Sequence, residues 1–150
     1  MIRVTQSFTI QKIIEKLVEE GYDIIYKDLP HGRRSGVGVH GQINLLFERL
    51  FDRSPDILAI KENKLIVLIE VNHNYKKSLN KKFNEYLSKK DELLKRISDI
   101  TNAKVQELEF GFGVAKKSFP NIELPFKRFH KFYFSENYKV IHEVLAKDDA

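Results

Sequence analysis

This chain predicts an α/β domain with a central mixed sheet flanked by helices, and three observations lead there. A helical stripe of Ile10, Ile13, Ile14, Leu17 and Val18 opens the chain and stops at Gly21. Two runs rich in β-branched residues, Ile57 to Ile60 and Leu65 to Val71, face each other across the polar break Glu62-Asn63-Lys64. A long amphipathic stretch, Ser78 to Ile100, then leads into another strand, Val105 to Ala115, so helices and strands interleave around one core.

Taken in order, the first helix has Ser7 or Thr9 as a cap. Tyr22 to Leu29, rich in Ile and Tyr and stopped by Pro30, reads as a strand. His31 to Gly41 holds four of the seven glycines with two arginines and two histidines, a connection able to approach a ligand closely. Gln42 to Phe51 reads as a short helix with Ile43, Leu46, Phe47 and Leu50 on one side. The long helix turns Leu79, Phe83, Tyr86, Leu87, Leu94 and Ile97 inward and a basic face outward. In the strand after it, Leu108, Phe110, Phe112 and Val114 share one side. Gly111 and Gly113 on the other mark close packing there. Pro120 and Pro125 bracket an extended loop, Arg128 to Phe134 reads as a strand, and Ser135 caps a last helix through Leu145.

With 150 residues, 42% hydrophobic and 31% charged, residues 1–150 read as a single domain able to bury a core. The absence of cysteine excludes disulfide frameworks and thiolate metal sites. No run approaches the roughly 20 apolar residues of a membrane span, and the N-terminus lacks the apolar core of a signal peptide, so the expectation is a cytoplasmic protein with no membrane partner. A formal charge of +5 draws the chain toward polyanions.

The two central strands carry the most informative residues. If Glu62 to Lys64 form the turn, Lys61 pairs with Leu65 and the register sets Asp56 opposite Glu70, both on the face of Leu58, Ile60, Ile66, Leu68 and Asn72. Ile57, Ala59, Val67, Ile69 and Val71 line the other face. Two facing carboxylates in an apolar sheet point to a bound cation, because each alone opposes burial of its charge. The competing explanation makes Asp56 a turn or cap residue and Glu70 an edge charge paired with a lysine.

Pro55-Asp56, a hairpin and Glu70-Val71-Asn72 at the end of an apolar strand resemble the PD-(D/E)xK, or restriction-endonuclease-like, nuclease superfamily, and within it the archaeal Holliday-junction resolvases. Glu15 to Tyr22 looks like their first helix entering the first strand, and Phe110 to Ala115 like their strand after the long helix. The likeness covers residues 8 to 116, with 30–53 as an insertion. It implies a restriction-endonuclease-like core of order α-β-β-β-α-β, a metal-dependent DNA endonuclease, and Mg²⁺ or Mn²⁺ held by Asp56, Glu70 and the Val71 carbonyl. It also implies a homodimer.

Where the resemblance puts a lysine, this chain has Asn72, which orients water or a phosphate oxygen but brings no charge. A lysine lent by the following segment, Lys76, Lys77, Lys81 or Lys82, would replace it, with Lys76 the first candidate. For the first-helix acid the alignment offers Gln11 or Glu15, and Glu48 in the insertion stands as an alternative catalytic acid against its reading as an exposed helix charge. His73 is a candidate ligand or general base. Arg33, Arg34, Lys76, Lys77, Lys81 and Lys82 are the candidate nucleic-acid contacts, set against plain solvation of a helix face. The aromatic run Phe126, Phe129, Phe132, Tyr133 and Phe134 reads as base-stacking, as core or as a subunit interface. Two further functions remain open: a catalytically degenerate nucleic-acid-binding protein of the same fold, and a non-nuclease interaction protein.

Overall fold

The polar break between the two central runs sets the sheet. In a computed structural model of the chain, which describes residues 6–28, 38–72, 78–114, 129–136 and 139–143, Glu62 and Asn63 take left-handed backbone angles, φ 53° and 57°. Lys64 donates its N–H to the Lys61 carbonyl at 3.1 Å. This turn joins β2 (Ile57–Lys61) to β3 (Leu65–Asn72) antiparallel, with Lys61 opposite Leu65 and Ile57 opposite Ile69. That is the register read from the sequence.

The other strands build outward from this hairpin. β1 (Asp23–Lys27) pairs antiparallel with β2. β4 (Glu107–Val114) lies parallel to β3, β5 (Phe129–Glu136) parallel to β4, and β6 (Lys139–Glu143) antiparallel to β5. The result is a mixed six-stranded sheet in the order β1-β2-β3-β4-β5-β6. Helix α1 (Gln6–Glu19) crosses one face and touches all six strands. Helices α2 (Gly38–Phe51), α3 (Ser78–Ser88) and α4 (Lys90–Thr101) contribute to the core on the other.

Strand alternation divides the core in two. Leu58, Ile60, Ile66 and Leu68 pack with Phe47, Phe83, Tyr86, Leu93, Ile97 and Phe110. Ile57, Ala59, Val67, Ile69 and Val71 pack with Ile10, Ile13, Ile14 and Leu17 of α1. Gly113 lets α1 approach: a Cβ there would sit 2.5 Å from Ile13 Cδ1 and 3.2 Å from Val71 Cγ2.

Four expectations need correction. Helix α1 starts at Gln6, so Ser7 and Thr9 lie inside it rather than ahead of it, and Val18 is exposed rather than part of the stripe. Gly21, φ 90°, does end it, with its N–H on the Val18 carbonyl at 3.1 Å. Helix α2 begins at Gly38 instead of Gln42, because its first turn is anchored from outside: the His40 ring stacks on Tyr26 with centroids 4.5 Å apart, and its Nε2 lies 3.0 Å from the Lys27 carbonyl. The single long helix is two. It breaks at Lys89 (φ −118°, ψ 24°), whose Nζ donates to the Leu50 carbonyl at 2.8 Å and lies over the Phe51 ring. The last helix, expected after Ser135, is strand β6. Ser135 lies within β5 opposite Val140, and the Lys139–Glu143 segment takes its backbone partners from β5. The Pro120–Pro125 loop lies outside the described residues.

Candidate metal centre

Asp56 precedes β2 by one residue and Glu70 lies near the end of β3, at the carboxyl end of the parallel pair β3 and β4. In open α/β sheets that end is where ligands bind. The register that pairs Ile57 with Ile69 continues to bring Asp56 beside Glu70. Asp56 takes part in the ladder through its side chain as well as its backbone. Its Oδ2 accepts the Val71 N–H at 2.7 Å, and its carbonyl accepts the Asp28 N–H at 2.8 Å. A strand residue's N–H and C=O leave on the same edge, so the Val71 carbonyl also leaves toward the Asp56 side.

Glu70 is 3% exposed on a central strand. Helix α3 meets it with two side chains one turn apart: Lys82 Nζ lies 3.4 Å from Oε1, and the Tyr86 hydroxyl donates to Oε2 at 3.5 Å. Both contacts are at the long end of hydrogen bonding. Tyr86 is fixed in turn by aromatic neighbours, with Phe51 4.8 Å and Phe47 5.9 Å away, centroid to centroid.

Burial, then the Glu70 charge, push the Asp56 carboxyl up to about 8, against the Val71 N–H and Lys82. Asp28 adds to the rise. Burial also pushes Glu70 up, while the Lys82 ammonium and the Arg53 guanidinium pull it back. Burial and Glu70 raise the Tyr86 phenol, which keeps it a donor. Burial therefore opposes ionisation of the pair, and Lys82 and Arg53 offset that only in part.

These residues fit a hard divalent cation. The donors are carboxylate and carbonyl oxygens, and such an ion would stabilise the ionised forms of Asp56 and Glu70 that burial disfavours. Among the described residues no group of three or more His, Cys, Asp or Glu side chains comes together. Mg²⁺ does not need one, since it commonly takes one or two carboxylates and keeps several waters.

The structure sorts the other sequence candidates. Lys82 is the one of the described lysines that reaches the pair; Lys81, the next residue, is exposed. Glu48 is exposed on α2 and does not join the carboxylates. Gln11 and Glu15 are exposed on α1, which packs against the opposite face, and Glu15 pairs with Lys12 at 3.5 Å. Asn72 closes β3 opposite Val114, with its side chain outside the described part. Arg33, Arg34, His73, Lys76 and Lys77 lie outside the described residues, as does Phe126, while Phe129, Phe132, Tyr133 and Phe134 lie in β5.

Arg53, Asp28 and the role of Tyr86 were not visible beforehand. Tyr86 read as core, and only its four-residue spacing from Lys82 hinted that both face one acid. Nothing local marks Arg53, whose partner Glu85 is 32 residues away. No protein-family model, curated protein or solved structure matches this chain.

Proposed function

We propose that the chain is a metal-dependent endonuclease of PD-(D/E)xK type that hydrolyses DNA phosphodiester bonds, with a restriction-endonuclease-like core. The observation that carries this reading is the Asp56–Glu70 pair, a partly buried aspartate beside a buried glutamate at the carboxyl end of β3, with Lys82 next to it. The element order supports it as well. Helix α1, strands β1 to β3, the α3–α4 crossover and β4 follow the α-β-β-β-α-β order, with α2 inserted between β1 and β2.

In this reading Asp56, Glu70 and the Val71 carbonyl hold Mg²⁺ or Mn²⁺. The bound cation would polarise the scissile phosphate and lower the pKa of an attacking water. Lys82 supplies the positive charge that Asn72 lacks: its ammonium has three donors, so it reaches a phosphate oxygen while staying beside Glu70. Asn72 orients the nucleophile or the phosphate. The exposed Lys81, Lys89 and Lys90 extend a basic surface from the same helices for backbone contacts, which position DNA without reading its sequence. Arg33, Arg34, Lys76 and Lys77 complete that surface in the proposal, and a homodimer presents two such sites.

One specific observation favours a second reading. Asn72 replaces the motif lysine and Lys82 is already committed to Glu70, which also suits a fold that binds nucleic acid without cutting it. Cleavage of supercoiled, linear and four-way-junction DNA in Mg²⁺ and in Mn²⁺ separates the two. Metal-dependent cutting lost in Asp56→Ala and Glu70→Ala supports the nuclease. Salt-sensitive binding that survives in chelator, with no cutting in either metal, overturns it in favour of the binder.

A further inference from the structure

Resting on the cation-site reading, we infer that Arg53 is a positioning residue: its ion pair with Glu85 sets helix α3 at the spacing from Asp56 that lets Lys82 and Tyr86 both hold Glu70. Arg53 Nη2 donates to Glu85 Oε2 at 2.9 Å, and its guanidinium carbon lies 5.7 Å from the Tyr86 ring centroid. Its buried Nε has no hydrogen-bond acceptor among the described residues, so the side chain is held by the Glu85 pair and by the ring.

Two connections make this pair a gauge for the site. On α3, Lys82, Glu85 and Tyr86 fall at helical spacings of three and four residues and share one face. On the other side, only Ser54 and Pro55 separate Arg53 from Asp56. Both are held in place, Ser54 by a 2.6 Å hydrogen bond from its hydroxyl to Asn44 Oδ1 and Pro55 by burial. Arg53 thus joins the segment that carries one ligand to the helix that fixes the other. The Glu70 contacts, at 3.4 and 3.5 Å, have little slack, so a small outward shift of α3 releases them.

Charge and position predict opposite signs, which makes the inference testable without catalysis. If Arg53 acted only through its charge, the two substitutions would shift Mn²⁺ binding in opposite directions, because Arg53→Gln removes a cation near Glu70 and Glu85→Gln removes an anion. If the ion pair positions α3, both variants weaken Mn²⁺ binding. Isothermal titration of Mn²⁺ into each chain is expected to show losses of about tenfold in both, the size usual for partners of metal ligands. The double variant should be no weaker than either single one, and Arg53→Lys should recover part of the loss.

Melting in chelator checks that each variant is folded, which a partly exposed ion pair leaves largely intact. Shifts of opposite sign, or unchanged affinity in both singles, overturn the positioning role while leaving the cation site standing. Failure of the unaltered chain to bind Mn²⁺ removes the site itself, and the inference with it.

Discussion

The two faces of the central hairpin follow opposite rules. Under α1, Ile57, Ala59, Val67, Ile69 and Val71 meet an aliphatic helix face, and Gly113 thins the sheet so that Ile13 can seat against it. Every group there gains by leaving water. On the other face the same two strands also present Leu58, Ile60, Ile66 and Leu68, but at the end away from the turn they meet Asp56, just ahead of β2, and Glu70, whose charges oppose their own burial. One face is explained by folding alone. The other carries a conflict that folding does not need, and such conflicts gather where a protein binds or reacts.

The largest expected effect lies on the conflicted face. Glu70→Ala and Asp56→Ala should lower metal-dependent DNA cleavage by about a thousandfold or more, the loss of several kcal/mol of charge stabilisation. Both variants should still melt cooperatively in chelator. Cleavage near the unaltered level in either would erase the distinction between the faces.

The apolar face should respond the other way. Ile13→Ala is expected to cost about 2–5 kcal/mol of stability, and Gly113→Ala about 1–3 kcal/mol through overpacking against Ile13 and Val71. Denaturant titration measures both. Mn²⁺ affinity of the folded fraction should stay unchanged, and a large shift in it would mean that the faces are coupled.

The pH dependence sharpens the contrast. Asp56 is raised from an ordinary 3.8 to about 8. Below about pH 4 both folded and unfolded states hold its proton and there is no penalty. As pH rises toward 8 the unfolded chain releases the proton more readily, so stability is lost across that window. Glu70, also raised, contributes in the same direction. Asp56→Asn keeps an acceptor for the Val71 N–H but removes the charge. It should therefore be more stable than the unaltered chain in chelator near pH 8, by about 1–3 kcal/mol, and the gain should vanish near pH 4. A melting series across that range gives the answer, and a destabilised Asp56→Asn at pH 8 would mean the pair is already well compensated. The smallest effects belong to Glu15→Gln and Glu48→Gln. Both are exposed and apart from the pair, so each should stay within about 0.5 kcal/mol of the unaltered stability and leave cleavage rates intact.

Much of the hairpin was legible because one short polar break between two apolar runs allows a single register that buries both faces. That register placed Asp56 beside Glu70, and the side of β4 left to Gly113 disclosed a close neighbour. What stayed hidden depends on contacts remote in sequence. The break falls at Lys89, whose side chain is held by the Leu50 carbonyl, 39 residues away. β6 is a strand because β5 supplies its partners, whereas its short apolar pattern also suits a helix. Four lysines, Lys76, Lys77, Lys81 and Lys82, all fit the sequence, since helical spacing alone does not say which face meets β3. Packing of Phe83 and Tyr86 decides that, and brings Lys82 to Glu70. Glu70 is paired with a lysine, as the competing explanation has it, but on a buried central strand rather than at an edge.

The most direct test is to count Mn²⁺ ions bound per chain by electron paramagnetic resonance, for the unaltered protein, Asp56→Asn and Glu70→Gln. The account predicts at least one tightly bound ion in the unaltered chain, lost in both variants while they remain folded. Equal binding in all three proteins, or none in the unaltered chain, would contradict it and return Asp56 and Glu70 to the fold as a buried polar pair with no ligand.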